Sequence, residues 1–390
     1  MSKAAGADTR YRAGPSLPGF DMAGLSMTAN EKRVVEIIHR QADATRADVT
    51  RETDLAAQSI SRIVDGLVDR GLVSLGEKMI TGRGQPSPHL LLNHDAAYSV
   101  GLSIMTDAVS GVVMNLGGEV IAKHWIHLTD VHRDAIFHSA KTVFDQLVAA
   151  TGIDHHRIAG VGVAVTGFFV GRGRQVNPPD PLGEIAFIEI DRELVASVQR
   201  PVWLENDGKA AAMGEALTGI GRRFPTFAYI FFSMGLGGAV VIDGRVFPGV
   251  FGNAGEFAGI WRLDEQDDRP TLEQLRRMMA QGGVAHPDIY AMISDFDVDA
   301  PGVEEWIDRA LPRLDQLASA ISAVLDPEAV VLGGRIPKAL AQRLADRMAV
   351  YGIPRRNVIK PNPQIVVSTV SGDAAAIGAA ATPLKARFFG

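Results

Sequence analysis

From Tyr98 onward, short apolar runs typical of buried strands alternate with amphipathic helices. Strands are predicted over residues 98–104, 109–116, 120–127, 158–165, 202–204, 227–232, 239–242, 329–332 and 365–369. Helices are predicted over residues 134–150, 207–217 and 303–325, and an Ala-rich helix follows Gly372-Asp373. Each such element must bury its apolar face against another layer, so this alternation predicts an α/β fold.

A different pattern precedes Tyr98: three short helices and then two strands. Thr45 is placed to cap the second helix, over residues 46–53, and residues 55–58 form the predicted turn. The third helix has an apolar stripe at helical spacing, made of Ile60, Ile63, Val64, Leu67 and Val68. Strands over 72–75 and 89–92 flank a polar tip at 81–86. Three helices and a two-stranded wing are typical of a winged helix-turn-helix.

The composition limits the compartment and the chemistry. Residues 1–27 are rich in Gly, Ala, Ser and Pro and lack an apolar signal core, which predicts a disordered tail. The chain contains no cysteine, which excludes disulfides, thiolate zinc sites and cysteine nucleophiles and fits a cytoplasmic protein. We therefore expect a tail at 1–27, a winged helix at 28–95 and a ligand-binding domain at 96–390, with its cleft near 204–259.

The start of the third helix offers polar side chains for reading bases. Gln58, Ser59, Ser61 and Arg62 face away from the apolar stripe, and Gln and Arg form bidentate bonds with adenine and guanine. Arg83 lies between two glycines at the wing tip, where an arginine suits a narrow minor groove. These five residues are the predicted DNA contacts.

Charge does not single out this block as a DNA-binding unit. Residues 28–95 carry nine Lys or Arg and ten Asp or Glu, and the whole chain has a net charge of -6. From these residues alone, a plain three-helix bundle with an ordinary loop remains the alternative.

Polar residues in the α/β block suggest a polyol site. Asn206 and Asp207 end a predicted strand and begin a helix, where α/β sheets bind ligands. Glu256 ends a second cluster, at residues 252–256, and Glu273 lies in a third. Amide and carboxylate groups provide the partners that buried hydroxyls need. The alternative is that these residues are ordinary helix caps and surface acids.

Two glycine runs each follow an apolar strand. One contains Gly235, Gly237 and Gly238, and the other contains Gly333 and Gly334. Backbone N–H groups in such loops can hold phosphate, but neither run continues into Lys-Ser/Thr as a Walker A loop does.

Taken together, these motifs resemble the ROK family of repressors, open-reading-frame proteins and sugar kinases. The resemblance covers residues 28–390 and is nearest to the repressor branch, which includes xylose and N-acetylglucosamine repressors. Glu205-Asn206-Asp207 resembles the family's Glu-Asn-Asp segment, residues 232–238 its nucleotide loop and residues 252–256 its Ala-Gly-Glu sugar motif. Residues 331–334 and Gly372-Asp373 complete the pattern.

The resemblance implies an actin-like fold, with two α/β lobes and a ligand cleft between them. It implies that Asn206, Asp207, Glu256 and Glu273 contact sugar hydroxyls. In family kinases, the Asp that matches Asp207 is the catalytic base.

Three departures from the family pattern weaken the kinase assignment. Residues 103–107 read Ser-Ile-Met-Thr-Asp where family kinases have an Asp-x-Gly-Gly-Thr phosphate loop. Phosphoryl transfer depends on positioning and neutralising phosphates, so this loss predicts an inactive kinase with vestigial nucleotide loops. Residues 262–270 replace a Cys-rich zinc motif, and Gly259 stands where many members have a His. We therefore expect no metal and no other cofactor.

The sequence thus predicts a cytoplasmic, homodimeric or tetrameric regulator that is a repressor rather than an activator. Its expected partners are operator DNA and a sugar effector. One alternative is an active ATP-dependent sugar kinase with an auxiliary DNA-binding domain, which the retained Asp207 favours and residues 103–107 oppose. Another is a DNA binder that responds to no ligand.

Overall fold

The computed structural model describes residues 25–79, 87–170, 175–352, 354–358, 360–370 and 372–390. Its first unit has helices α1 (Ala29–Arg40), α2 (Arg46–Glu52) and α3 (Ala57–Asp69) and antiparallel strands β1 (Val73–Met79) and β2 (Ser87–Leu92). The side chains of Thr28 and Thr45 cap α1 and α2, each in a reciprocal capping box. The predicted winged helix, including the cap at Thr45, is confirmed.

The core of this unit contains the predicted stripe of α3. Ile60, Val64 and Leu67 are buried, whereas Ile63 and Val68 are partly buried at its edge. Helix α3 begins at Ala57, inside the segment predicted to be a turn, because Ala and Gln are good helix formers. Residues 1–24 lie outside the described part of the chain, but residues 25–27 belong to it, and Leu25 and Met27 pack against this core.

The first lobe contains a five-stranded sheet with a central meander. Its strands are β3 (Tyr98–Ile104), β4 (Ala108–Asn115), β5 (Val120–His127), β6 (Ile158–Val165) and β9 (Val202–Asn206), in the order β5-β4-β3-β6-β9. Helices α4 (Arg133–Thr151) and α5 (Ile190–Val198) cover it, and β7 (Phe168–Phe169) pairs with β8 (Val176–Asn177) beside it. The predicted meander and the predicted helix after it are confirmed.

The second lobe repeats this strand order. Its strands are β10 (Phe227–Phe232), β11 (Leu236–Ile242), β12 (Arg245–Val246), β13 (Ala329–Gly334) and β14 (Gln364–Val367), in the order β12-β11-β10-β13-β14. The helices are α6 (Asp207–Thr218), which leads into this lobe, α7 (Leu272–Gln281), α8 (Ile289–Ser294), α9 (Val303–Leu325), α10 (Lys338–Arg347) and α11 (Ala374–Phe388). In each sheet the first strand along the chain lies at the centre. The second and third strands lie on one side of it, and the fourth and fifth lie on the other. This shared strand order confirms the predicted two-lobed, actin-like fold.

Helices α6 and α11 each follow a strand of one lobe in the chain but pack on the sheet of the other lobe. Helix α6 follows β9 of the first lobe, yet Gly208 lies close to the backbone of Gly238 in the second sheet. Helix α11 follows β14 of the second lobe and lies on the first sheet. A Cβ at Gly101 would come within 2.0 Å of the Ala376 carbonyl oxygen of α11, so only glycine permits this approach.

The winged helix docks on the C-terminal end of α11. The Lys32 ammonium of α1 donates to the Ala386 carbonyl at 2.6 Å, and the His39 and Phe389 rings lie 5.1 Å apart. A cavity of about 260 Å³ lies at this junction.

The predicted domain boundary at residues 95–96 falls in the link between β2 and β3. No helix of the described residues combines the length and the apolar character needed to cross a membrane.

Candidate functional site

The N-terminal half of α3 presents an exposed polar surface. Gln58, Ser59 and Arg62 are exposed. The N-cap residue is Ala56, which has no side-chain acceptor, and the first turn contains no acidic residue. The first N–H groups of the helix and its positive dipole end are therefore open to a phosphate group.

The other two predicted DNA contacts, Ser61 and Arg83, are not exposed side chains of the described part of α3. Ser61 is half-buried, and its hydroxyl lies 3.5 Å from the Asp65 carboxylate, which also accepts from Arg46 at 2.6 Å. Ser61 is therefore less available to DNA than its neighbours. Arg83 lies outside the described residues, so its role at the wing stays a prediction.

Asp207 lies at the first turn of α6, where β9 ends, and it is buried. Its carboxylate accepts from the Thr166 hydroxyl at 2.7 Å and from the Gly208 N–H at 2.8 Å. Burial, and to a smaller extent the nearby Glu256 and Asp373 carboxylates, raise the pKa of Asp207 to about 7, although those two hydrogen bonds lower it. Near neutral pH the group can therefore donate or accept a proton in a hydrogen bond.

Asn206 lies beside Asp207, but its amide is already bonded to the protein. Its side-chain oxygen caps α6 by accepting from the Lys209 N–H at 3.1 Å. Its NH₂ group donates to the Gly167 carbonyl at 2.9 Å and to Asp207 at 3.1 Å. Through these contacts, Asn206 holds the start of α6 and the Asp207 carboxylate in place.

The 252–256 loop brings Glu256 to the same site. Asn253 anchors this loop to β7, because its amide exchanges two hydrogen bonds with the backbone of Phe169, at 2.9 and 2.8 Å. Gly255 has φ +94°, and a Cβ there would meet the Ala239 Cα at 2.5 Å. Burial raises the pKa of Glu256, whereas the Lys209 ammonium lowers it.

Glu273 does not join this group through any described contact. It lies in the first turn of α7, where its carboxylate accepts from Arg276 at 2.8 Å and from Arg277 at 3.0 Å. These hydrogen bonds hold the pKa of Glu273 below its ordinary value. A sugar contact from Glu273 stays a prediction.

Lys209 is a member of the site that sequence analysis missed. Its side chain is fully buried in the first turn of α6, and its ammonium donates to the Gly252 carbonyl. The ammonium also lies 5.8 Å from the centre of the Phe169 ring. No sequence pattern marks this lysine, since a lysine in the first turn of a helix is ordinarily solvated.

The turn between β3 and β4, at residues 103–107, provides Asp107 as one partner of a buried ion pair. Arg335 follows β13 of the second lobe and donates both terminal nitrogens to the Asp107 carboxylate, at 2.6 and 3.0 Å. The Tyr290 N–H of α8 donates to the same carboxylate at 2.8 Å. Nearby, His127 and Asp288 lie 2.8 Å apart. The turn that was expected to match the kinase phosphate loop is thus joined to the second lobe by its own carboxylate.

The Gly333-Gly334 run contacts protein where it was predicted to resemble a phosphate loop. The Gly334 N–H donates to the Tyr229 hydroxyl at 2.9 Å, and Gly334 has φ +88°. A Cβ at Gly333 would come within 2.2 Å of the same hydroxyl. Glycine is needed here because Tyr229 fills the space beside the loop.

The other glycine run is more open. A Cβ at Gly235 or Gly237 would meet no atom within 4 Å, whereas one at Gly238 would come within 2.2 Å of the Tyr229 carbonyl oxygen. Gly238 therefore serves packing, and Gly235 and Gly237 border free space.

The segment at 262–270 is held by ion pairs. Arg313 of α9 donates to Glu265 at 2.8 Å and to Asp268 at 3.2 Å, and Arg309 also pairs with Asp268. These bonds fix to α9 the segment that was expected to replace a Cys-rich zinc motif.

Comparison with known proteins agrees with this architecture. Residues 99–267 match the ROK family, and residues 25–77 match the MarR family. The chain is 28% identical to the uncharacterised protein y4fQ of Sinorhizobium fredii, over 93% of this chain and 92% of that protein. It is 25% identical to the xylose repressor of Bacillus subtilis, over 58% of this chain and 59% of that repressor.

A solved structure extends the likeness to both domains. The crystal structure of a ROK family transcriptional regulator, a homologue of the E. coli MLC protein, superposes with a TM-score of 0.69 at 21% identity. The superposition covers 94% of this chain and 97% of that one. A winged helix joined to a two-lobed, sugar-kinase-like domain defines a transcriptional regulator with a ligand-binding domain. The chain thus contains a domain that matches the ROK family over residues 99–267, preceded by a winged helix of MarR type.

Proposed function

We propose that the protein represses transcription by binding operator DNA and that a sugar or sugar derivative, bound between Asp207 and Glu256, controls this binding. The proposal depends on the pairing of the buried Asp207 carboxyl, at the start of α6, with the half-buried Glu256 carboxyl on the 252–256 loop. Similarity to the xylose repressor of Bacillus subtilis makes D-xylose the first sugar to test.

The chemistry of the carboxyl pair suits hydroxyl groups. A sugar hydroxyl donates to a carboxylate and accepts from a protonated carboxyl, and Asp207 can take both forms near neutral pH. The effector changes DNA affinity only by binding one arrangement of the lobes and the winged helix more tightly than another. Helix α11 joins the two sites physically, since Asp373 at its start lies near Asp207 and its far end contacts α1.

A homodimer in the cytoplasm completes the proposal. Winged helices of this type read two half-sites about one or more helical turns apart, and a two-fold dimer supplies two reading helices in that relation. Gln58, Ser59, Ser61 and Arg62 are the base-reading candidates on each α3, and Arg83 is the candidate at each wing.

We further propose that the protein transfers no phosphate. The turn at residues 103–107 supports this, because it lacks the two glycines of the kinase phosphate loop and its Asp107 carboxylate is bonded to Arg335. We expect no sugar-dependent release of ADP in a coupled assay with ATP, Mg²⁺ and a panel of pentoses, hexoses and acetylated amino sugars. Turnover that disappears in Asp207→Asn would instead establish the alternative, an active kinase.

The main test is the Glu256→Ala variant. Truncation removes one of the two carboxyl groups and leaves α3 unchanged, so effector response should be lost while DNA affinity stays within about twofold. The measurement is fluorescence anisotropy with a duplex selected from a random pool by the wild-type protein, titrated with and without the sugar that raises the wild-type melting temperature.

Glu265→Ala is the matched control, because it removes a half-buried carboxylate paired with Arg313 outside the site. Effector response should be retained in this control. If Glu256→Ala loses DNA binding together with effector response, Glu256 is a structural residue. If no sugar of the panel shifts the wild-type melting temperature, the proposed effector class is wrong.

A further inference from the structure

We infer that Lys209 is a positioning residue of the effector site: it holds the 252–256 loop closed over α6 and supplies the counter-charge for Glu256. This inference assigns a regulatory role within the site of the proposed function and rests on it.

The ammonium of Lys209 has no access to solvent. Lys209 is 1% exposed, and buried lysines are rare unless they are paired. Its described contacts are the Gly252 carbonyl and the face of the Phe169 ring, whose centre lies 5.8 Å away. Gly252 has φ +82°, so its carbonyl is held in an orientation that other residues rarely adopt. The lysine therefore ties α6 to the loop and to β7 at one point.

Carboxylates from three elements act on the charge of this cation. Burial lowers the pKa of Lys209, whereas the carboxylates of Glu205 on β9, Glu256 on the loop and Asp207 on α6 raise it. Asp373, at the start of α11, faces Asp207 from a fourth element. Lys209 is the only cation that lowers the pKa of Glu256 within the described chain. Removing it should leave these carboxyl groups protonated to higher pH.

The loop has two amides that report whether it is closed. The Ala254 N–H donates to the Pro248 carbonyl at 3.2 Å, and the Glu256 N–H donates to the Asn253 carbonyl at 3.3 Å. Both bonds lie within the loop region and depend on its conformation. If Lys209 holds the loop, its loss should increase the exchange of these two amides with solvent.

The experiment compares Lys209→Met with wild type in the full-length protein without sugar. Methionine is similar in size and apolar, so it removes the charge with little change in packing. Hydrogen exchange measured by mass spectrometry should be about tenfold or more faster at Ala254 and Glu256. Lys360→Met is the matched control, since Lys360 donates to Ser322 away from this site, and it should leave both rates unchanged.

The pH dependence of the melting temperature separates positioning from a purely structural role. A carboxyl group whose pKa is raised on folding stabilises the protein less as pH rises from its unfolded value to its folded value. For Asp207 this interval runs from its ordinary value of 3.8 to about 7, so the contribution of Asp207 to wild-type stability should fall across it. In Lys209→Met this decrease in stability should continue to higher pH. Lys209→Arg should restore the wild-type dependence of the melting temperature on pH.

The results separate this inference from the proposed function. Unchanged amide exchange and an unchanged pH profile in Lys209→Met would overturn the role of Lys209, whatever the sugars do. If Lys209→Met does not fold, Lys209→Gln is measured, because its amide can still donate to Gly252 while the charge is gone. A wild-type pH profile in Lys209→Gln would overturn the inference equally. If neither D-xylose nor any other sugar of the panel binds the wild type, that result counts against the proposed function alone.

Discussion

Replacing Arg335 with methionine should lower the melting temperature of the protein by on the order of 10 °C. The side chains of Arg335 and Asp107 are only 12% and 8% exposed, so the variant leaves a buried carboxylate without its partner. Breaking such a pair from one side costs about 3–5 kcal/mol, because the remaining charge is neither solvated nor paired. The Tyr290 N–H still donates to Asp107, but one neutral donor does not replace a guanidinium. Differential scanning calorimetry measures the change.

Two further variants make this prediction specific. In the double variant Asp107→Ala/Arg335→Met no charge remains buried, so most of the lost stability should return. Arg343→Met removes an arginine of the same lobe that pairs with Asp299 at the surface, and it should change the melting temperature little. Equal losses in Arg335→Met and Arg343→Met would mean that the interlobe pair contributes no more than a surface ion pair.

Gly378→Ala should destabilise the protein by about 3 kcal/mol or more, or prevent soluble expression. Gly378 lies where α11 comes very close to α6, and a Cβ there would come within 1.6 Å of the Ala210 carbonyl oxygen. The obstacle is backbone of a buried helix, which cannot rotate away, so the two helices must separate. The measurements are soluble yield and melting temperature.

A graded set of glycines tests whether the close approach is the cause. Gly214 faces α11 from α6, but its Cβ would lie 3.1 Å from the nearest atom, so Gly214→Ala should cost less than Gly378→Ala. Gly66 lies in α3 with nothing within 4 Å of its Cβ, and Gly66→Ala should raise helix stability by about 1 kcal/mol. A cost that does not follow these distances would contradict the explanation.

The elements were predictable where the period of apolar residues is unambiguous. Helix α9 was predicted at its observed bounds, because its apolar stripe is long and regular. Strand β11 was predicted to begin at residue 239 and begins at Leu236, since Gly237 and Gly238 hide a strand that is fixed only by pairing with β10. The two-lobed arrangement came from the family resemblance, because single-sequence periodicity does not specify which strands pair.

The site was predictable where a motif combines residues that are adjacent in sequence. Asp207 and Glu256 were named from two such motifs, and the structure places them close enough for one carboxylate to raise the pKa of the other. Lys209, Arg335 and Tyr290 were missed, because their contacts join segments far apart in the chain. No local pattern distinguishes a buried lysine or an interlobe arginine from a solvated one.

The exchanged packing of α6 and α11 bears on how the molecule folds. Each sheet obtains one covering helix from the other half of the chain, so neither lobe has a complete hydrophobic core when its strands alone have paired. The contacts that complete the first lobe include α11 and thus wait for nearly the whole domain to be synthesised. Assembly of the two lobes should therefore be a single cooperative event, with neither half stable on its own.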